Sequence, residues 1–381
     1  MENQTQIPRP YFHALDGLRL LASLNIVLTH LNSSWCLGDA GSWPIFGILI
    51  RGPAFNASLF FVLGGFIFFF QIASRLDKFR LSAFLRSRFF RLYPLHLVSL
   101  LLMVLVVAKR HEFYGDFSLF TQSILAHLSL VWAFDPTRWL PLNEPSWALT
   151  PFFLAYFTIG PVTRALLQER RTLILFLFLV VTLLPTLFFA GVYSQVSTVP
   201  FAYKRFHVFP ILRIGEFYFG MALARIFQKR KQGPCTTPTW FWDFGFLMGI
   251  AALWGAIRLK WGFGPVLSWL SPHLFVLVIY GWLIWLLAFN RGLVAKLFSS
   301  RIVSSVGQAS FYPYLLHLPL ISVAVIIAQA LGFQGFFKIG WQPVAFLVIL
   351  YGCSTGYSMN KKRRSKKKRH SSLETSTNSN A

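Results

Sequence analysis

Carboxylates are scarce in this chain. Twelve Asp and Glu stand against 36 Lys and Arg, and charged residues fill only 13% of 381 positions. A soluble protein of this length needs more charged surface than that. The sequence has no paired-acid site, no metal-type His/Cys cluster and no glycine-rich phosphate loop. Those absences argue against ATPases, metallohydrolases and glycosyltransferases that need a clustered acidic motif. The three cysteines, Cys36, Cys235 and Cys353, share no metal or redox spacing and leave the compartment open. Nothing resembles a cleaved signal peptide: the first apolar run is too long and lacks a small-residue cleavage site after it. It is expected to stay as a span.

Apolar surface is abundant instead. Hydrophobic residues make up 55% of the chain, with 42 Phe and 13 Trp, a load suited to lipid contact and interfacial aromatic belts. The formal net charge of +24 would suggest nucleic acid in a soluble protein. Here the cations sit between apolar runs and in the stretch Lys361-Lys362-Arg363-Arg364-Ser365-Lys366-Lys367-Lys368-Arg369-His370. That distribution reads as positive-inside topology with a tail near anionic head groups, so membrane lipid is the expected partner and nucleic acid is not. Residues 1–360 form the expected membrane domain, and residues 361–381 the expected disordered polybasic cytosolic tail.

Apolar stretches near 20 residues lie at about 12–34, 55–74, 89–108, 146–166, 172–191, 209–228, 241–258, 266–289, 303–331 and 340–359. A further stretch, about 117–134, is shorter and diluted by Thr121, Gln122, Ser123, His127 and Ser129. The basic clusters at 75–91 and 164–171 both read as cytosolic. An even number of crossings must separate them, and 89–108 with 146–166 already supply two. The 117–134 stretch is therefore expected to be re-entrant or interfacial on the outer side, covered by protein rather than lipid. The expectation is an all-α polytopic bundle of about ten transmembrane helices plus that segment, with both termini cytosolic.

Ionisable groups within spans are costly unless they pair or line a wet cavity, so each is a candidate for function. The first span carries Asp16, Arg19 and His30. Arg19 and His30 are about 1100° of helical rotation and about 16.5 Å of rise apart, so they share a face three turns apart. A guanidinium suits a donor's phosphates or an oxyanion, and an imidazole suits removal of a hydroxyl proton. The alternative is a polar face that packs helices, with Asp16 pairing Arg19. Arg213 and Glu216, at i and i+3, read first as a structural ion pair. His317 orients a substrate or bonds a neighbouring helix, and His96 reads as interfacial.

Several segments resemble, in order, the integral-membrane acyltransferase-3 family, which includes O-antigen and nodulation-factor acetylases and macrolide acyltransferases. Leu15-Asp16-Gly17-Leu18-Arg19 with His30 looks like its Arg-ten residues-His signature. Phe60-Phe61-Val62-Leu63-Gly64-Gly65-Phe66 is similar to its second-span motif, and Phe84-Leu85-Arg86-Ser87-Arg88-Phe89-Phe90-Arg91-Leu92-Tyr93-Pro94 to its basic loop. Pro145-Ser146-Trp147-Ala148-Leu149-Thr150 resembles its Ser-Trp-Ser-Leu motif, and Glu216-Phe217 with Gly220-Met221 its Glu-Phe…Gly-Met segment. Ser310-Phe311-Tyr312-Pro313-Tyr314-Leu315-Leu316-His317 is similar to its late Tyr-Leu-x-His signature. The resemblance covers roughly residues 11–330.

What it implies is a bacterial inner or plasma membrane O-acyltransferase. An acyl group, acetyl above all, would move from acyl-coenzyme A, a co-substrate rather than a bound cofactor. The acceptor would be a hydroxyl of a glycan, a lipid-linked sugar or a small exported metabolite. Arg19 and His30 would be the essential pair, and Arg86, Arg88, Arg91 and Tyr93 would attract the donor. Asp16, Ser146, Trp147, Arg213, Glu216, Tyr314 and His317 would support them, with no metal. Two departures stand out: the family usually has Ser where Gly64 stands, and an acid shortly after the Ser-Trp motif, where this chain reads Pro151-Phe152-Phe153. They leave room for a catalytically weakened member. A transporter or flippase is the other alternative, against which no inverted repeat is visible.

Overall fold

The computed structural model describes residues 10–35, 53–110, 116–135, 138, 142–170, 182–196, 207–230, 237–262, 264–333 and 341–378. The elements are α1 (His13–Trp35), α2 (Pro53–Ala73), α3 (Leu81–Arg110), α4 (Phe117–Leu128), α5 (Leu149–Leu167), α6 (Leu184–Val196) and α7 (Pro210–Arg230). They continue with α8 (Thr239–Gly262), α9 (Gly264–Leu270), α10 (Val276–Ala288), α11 (Gly292–Ser299), α12 (Arg301–Ala309), α13 (Phe311–Ala330) and α14 (Gln342–Asn378). No strand occurs among the described residues. A backbone without water must satisfy itself locally, and long Leu-, Phe- and Ala-rich runs do so as helix.

Six stretches among the described residues are long and apolar enough to cross a membrane: His13–Leu31, Asn56–Ala73, Leu81–Lys109, Thr239–Ile257, Gly264–Ala288 and Phe311–Ala330. The chain is thus an all-α polytopic bundle. The expected count of ten goes beyond these six. Of the other four expected spans, α7 carries Arg213, Glu216 and Arg225 within its apolar length, α5 and α14 hold two more, and 172–191 lies partly outside the described residues.

Relative helix directions follow from which residues meet. Phe12 packs on Phe66 and Phe70 while Ile26 shares a cluster with Ala57 and Phe61, so α1 and α2 are antiparallel. Arg88 bonds Gln71 near the end of α2, while Leu95 packs against the cluster that holds Ala57 and Phe61 near its start, so α3 also opposes α2. Phe61 meets Phe152 and Phe68 meets Tyr156, so α5 runs parallel to α2. Helices α3 and α5 therefore run in opposite directions although α4 lies between them in sequence. That is the alternation the parity of the basic clusters requires.

Helix α4 adds no crossing. Its 12 residues span about 18 Å, short of the roughly 30 Å of a bilayer core. It lies antiparallel along α3, with Phe120 in an apolar cluster with Leu100, Met103 and Val107. Its last carbonyls and the turn that follows find side-chain donors. His96 Nε2 donates to His127 O at 2.9 Å, Tyr93 Oη to Leu128 O at 2.7 Å, and Thr150 Oγ1 to Leu130 O at 2.6 Å. The chain reverses at Leu130, whose φ of 60° is in the left-handed region, and returns through the 3₁₀ turns Trp132–Phe134 and Glu144–Ala148. This is re-entrant backbone kept viable by surrounding protein. His96, expected at the interface, is instead fully buried beneath it.

Helices α2 and α7 cross almost without side chains between them. A Cβ at Gly65 would stand 1.8 Å from Phe217 O, and one at Gly220 would stand 1.9 Å from Val62 O. These glycines of the Gly-Gly-Phe and Gly-Met motifs thus serve backbone approach. Gly65→Ala or Gly220→Ala should destabilise the protein by about 1–3 kcal/mol or more, read as thermal unfolding in detergent. Gly191→Ala on α6, with nothing within 4 Å, is the control and should be neutral or better. Equal melting of Gly65→Ala and the control would disprove the close crossing.

Two local expectations are corrected. Arg86, Arg88 and Arg91 stand in the first three turns of α3, not in a loop, because no residue before Pro94 interrupts the helix. The tail expected to be disordered continues α14 through the basic stretch to Asn378, while 379–381 lie outside the described residues. Extending an existing helix avoids the nucleation cost, and Lys and Arg are good helix formers.

Candidate functional site

Three polar residues seven positions apart mark one stripe of α1: Asp16, Ser23 and His30. Seven residues turn about 700°, within about 20° of two full turns, so the three share a face. That face lies against α12 and α13. Asp16 accepts from Ser304 Oγ at 2.9 Å, Gln308 Nε2 at 3.0 Å, Tyr11 Oη at 2.8 Å and Arg19 Nη1 at 3.1 Å. Ser23 meets Tyr351 Oη at 2.8 Å and donates to Ser310 O at 3.1 Å. The His30 ring lies 5.0 Å from the His317 ring. Gly307 permits the approach, since a Cβ there would fall 1.9 Å from Asp16 O.

Asp16 is accordingly a clamp between α1 and α12 as well as the partner of Arg19. Burial and the neighbouring Asp16 carboxylate raise the Tyr11 hydroxyl well above its usual range, so it remains a hydrogen-bond donor. Arg19 keeps 29% of its side chain exposed and holds Asp16 with one arm. The structure does not bring Arg19 and His30 together. They remain about 16.5 Å apart along the helix, two stations rather than one.

His317 is fully buried, and its Nδ1 lies 3.0 Å from Pro313 O. Its turn of α13 is pinned from outside. Pro319 has no N–H to give Leu315 O, and Asn143 Nδ2 donates to that carbonyl at 3.2 Å. Asn143 also donates to Ser99 Oγ at 2.9 Å, and Tyr314 Oη donates to Pro145 O at 2.9 Å. Ser146 caps its own turn by donating to Asn143 O at 2.7 Å. The Ser-Trp segment thus sits between α3 and α13 as a structural wedge.

On its far side Trp147 presents its ring to the Arg213 guanidinium, 5.4 Å from the centroid. Arg213 is fully buried and donates to Glu216 Oε1 at 2.5 Å, Ser58 Oγ at 3.0 Å and His207 O at 2.6 Å. Ser58 Oγ in turn donates a hydrogen bond to Glu216 Oε1 at 3.0 Å. His273, set in the π turn Ser271–Phe275 between α9 and α10, lies 3.8 Å from the same oxygen. The expected Arg213–Glu216 pair is therefore one edge of a network reaching α2 and the α9–α10 rod. Sequence reasoning missed Ser23, Ser58, Asn143, His207 and His273. Polarity within a long apolar stretch was a signal for Ser23, Ser58 and His273, whereas Asn143 and His207 lie between such stretches.

The α3 residues divide. Arg86 and Arg91 are exposed, Arg86 lying 5.9 Å from the Phe90 ring. Arg88 instead turns inward over Phe68 and Phe84, at 4.7 and 4.9 Å, and bonds Gln71. Tyr93 stacks on Phe89 at 4.3 Å and holds the re-entrant segment. The two departures from the family pattern meet in space: a Cβ at Gly64 would lie 2.9 Å from Phe152 Cε1. The Phe152 ring occupies the ground over Gly64, beside Phe61 and Phe217, so this patch is wholly apolar. No group of three or more His, Cys, Asp or Glu able to hold a metal occurs among the described residues.

A helical membrane bundle with a polar seam along its first helix is the class these features define, and the family follows from comparison. The family model described as an acyltransferase domain, acyltransferase-3, matches residues 12–359, and the chain belongs to that family. It is similar to acyltransferase MdmB of Streptomyces mycarofaciens, with 29% identity over 147 residues, covering 38% of this chain and 37% of that protein. It is also similar to a putative O-acetyltransferase of Staphylococcus aureus strain COL, with 24% identity over 330 residues, covering 82% of this chain and 51% of the relative. The chain thus spans about half the length of the staphylococcal relatives it matches. No solved structure matches.

Proposed function

We propose that this protein transfers an acyl group, acetyl above all, from acyl-coenzyme A to a hydroxyl of a glycan, a lipid-linked sugar or a small exported metabolite. The observation that carries the reading is the placement of Arg19 and His30 at two stations of one helix in a chain of this family. Partly exposed Arg19, with exposed Arg86 and Arg91, supplies cations for the donor's phosphates. His30, half-buried and two turns beyond Ser23, removes the proton from the acceptor oxygen as it attacks the thioester carbonyl. The carbon–sulfur bond then breaks and the proton passes to the leaving thiolate. In this reading the protein lies in the bacterial inner or plasma membrane with ten spans and both termini cytosolic. The donor arrives from the cytosol, and the basic extension of α14 lies against anionic lipid.

Purified protein in lipid vesicles, given radiolabelled acetyl-coenzyme A and a lipid and glycan extract of the host, tests this. Thioester should be consumed and label should reach the extract. Vesicles that bind donor without turnover, or that take up solute without donor, would overturn the proposal.

A further inference from the structure

We infer that His317 is a positioning residue for the transfer step: its Nε2 lone pair accepts a hydrogen bond from the His30 imidazole and orients that ring toward the acceptor. This rests on the function proposed above and extends it to a second helix.

The argument begins with the tautomer. Nδ1 of His317 lies 3.0 Å from Pro313 O, and a carbonyl only accepts, so Nδ1 carries the hydrogen. Nε2 of the neutral ring is therefore a lone pair. It is buried and finds no hydrogen-bond donor among the described residues. A buried acceptor left in this state costs free energy and calls for a reason. The His30 ring lies beside it at 5.0 Å between centroids and 49° between planes. At that separation the nearest ring atoms approach hydrogen-bonding reach, and the broad χ2 torsion of His30 lets an N–H turn onto Nε2.

The surroundings hold the acceptor still. The carbonyl released by Pro319 is taken by Asn143, and Tyr314 is tied to Pro145 O, so the turn carrying His317 is fixed from two directions. The chemistry favours a neutral acceptor here. A carboxylate in this apolar place would carry the desolvation cost of a buried charge through the whole cycle. A neutral imidazole bears little of it, yet its bond to His30 strengthens when His30 takes the hydroxyl proton and becomes cationic. The proton arriving from the acceptor hydroxyl resides on the other nitrogen of His30 until the thiolate leaves. His317 gains and loses nothing.

The test compares His317→Gln, His317→Phe and His317→Leu with wild type in the vesicle assay. Gln offers an amide oxygen where Nε2 stands, Phe keeps the ring shape without a lone pair, and Leu covers the case that Phe does not fold. His317→Gln should keep kcat within several-fold. The Phe or Leu variant should lose roughly ten- to a hundredfold in kcat, with KM for acetyl-coenzyme A unchanged. Wild-type kcat in a folded Phe or Leu variant overturns the inference, and so does a folded Gln variant as slow as Phe. An inactive wild type would overturn the function itself, which keeps the two failures distinct.

Discussion

His30→Ala should fold, bind the thioester donor as wild type does, and lose about 10²–10⁴-fold in transfer rate. The folding half of the expectation rests on how α1 is held. Asp16 with Ser304 and Gln308, Ser23 with Ser310 O and Tyr351, and the Gly307 contact secure the helix without His30. The binding half rests on distance, since the cations proposed to hold the donor lie about three turns away at Arg19 and beyond. A general base is felt in kcat, so KM for the donor should barely move. Single-turnover kinetics with labelled acetyl-coenzyme A, beside donor binding measured separately, resolves the two. Retained transfer in a folded His30→Ala protein would remove His30 from the mechanism.

Glu216→Ala should cost about 3–5 kcal/mol of stability, because it leaves Arg213 as an uncompensated cation in the interior. Arg213 is fully buried, and the partners left to it, Ser58 Oγ, the His207 ring and carbonyl and the Trp147 face, bring no negative charge. Changing both residues, Arg213→Met with Glu216→Leu, should recover most of that loss, since apolar side chains of similar volume replace a pair whose desolvation nearly offsets its attraction. Denaturant titration of the three proteins in one detergent reads the difference. A double variant no more stable than Glu216→Ala would mean that Ser58, His207 and Trp147 depend on the pair for their own placement.

Much of the bundle was legible because membrane helices announce themselves by length and by the sign of their loops. The parity of the 75–91 and 164–171 clusters kept 117–134 from being a span, and α3 and α5 do run in opposite directions. Ion pairs at i and i+3 were legible for a similar reason: Asp16–Arg19 and Arg213–Glu216 need only local spacing, at 3.1 and 2.5 Å. What escaped is everything that a short side chain does across the fold. Ser23 meets Tyr351 from 328 positions away, and Asn143 meets Leu315 O from 172, with no periodicity to betray either. The tail escaped because composition was weighed alone, whereas α14 is already propagating when it reaches Lys361. Gly64 and Phe152 looked like two separate departures, and only the fold shows that one ring fills both places.

The crossing of α2 and α7 has a mechanical consequence. With Gly65 against the Phe217 carbonyl and Gly220 against that of Val62, neither helix has room to slide by even one residue without driving main chain into main chain. The pair behaves as one beam, and Ser58, Glu216 and Arg213 are bolted along it as a rigid fitting. Any opening wide enough to admit an acceptor or release a product must therefore happen at other seams of the bundle, with this beam as the fixed frame against which they move.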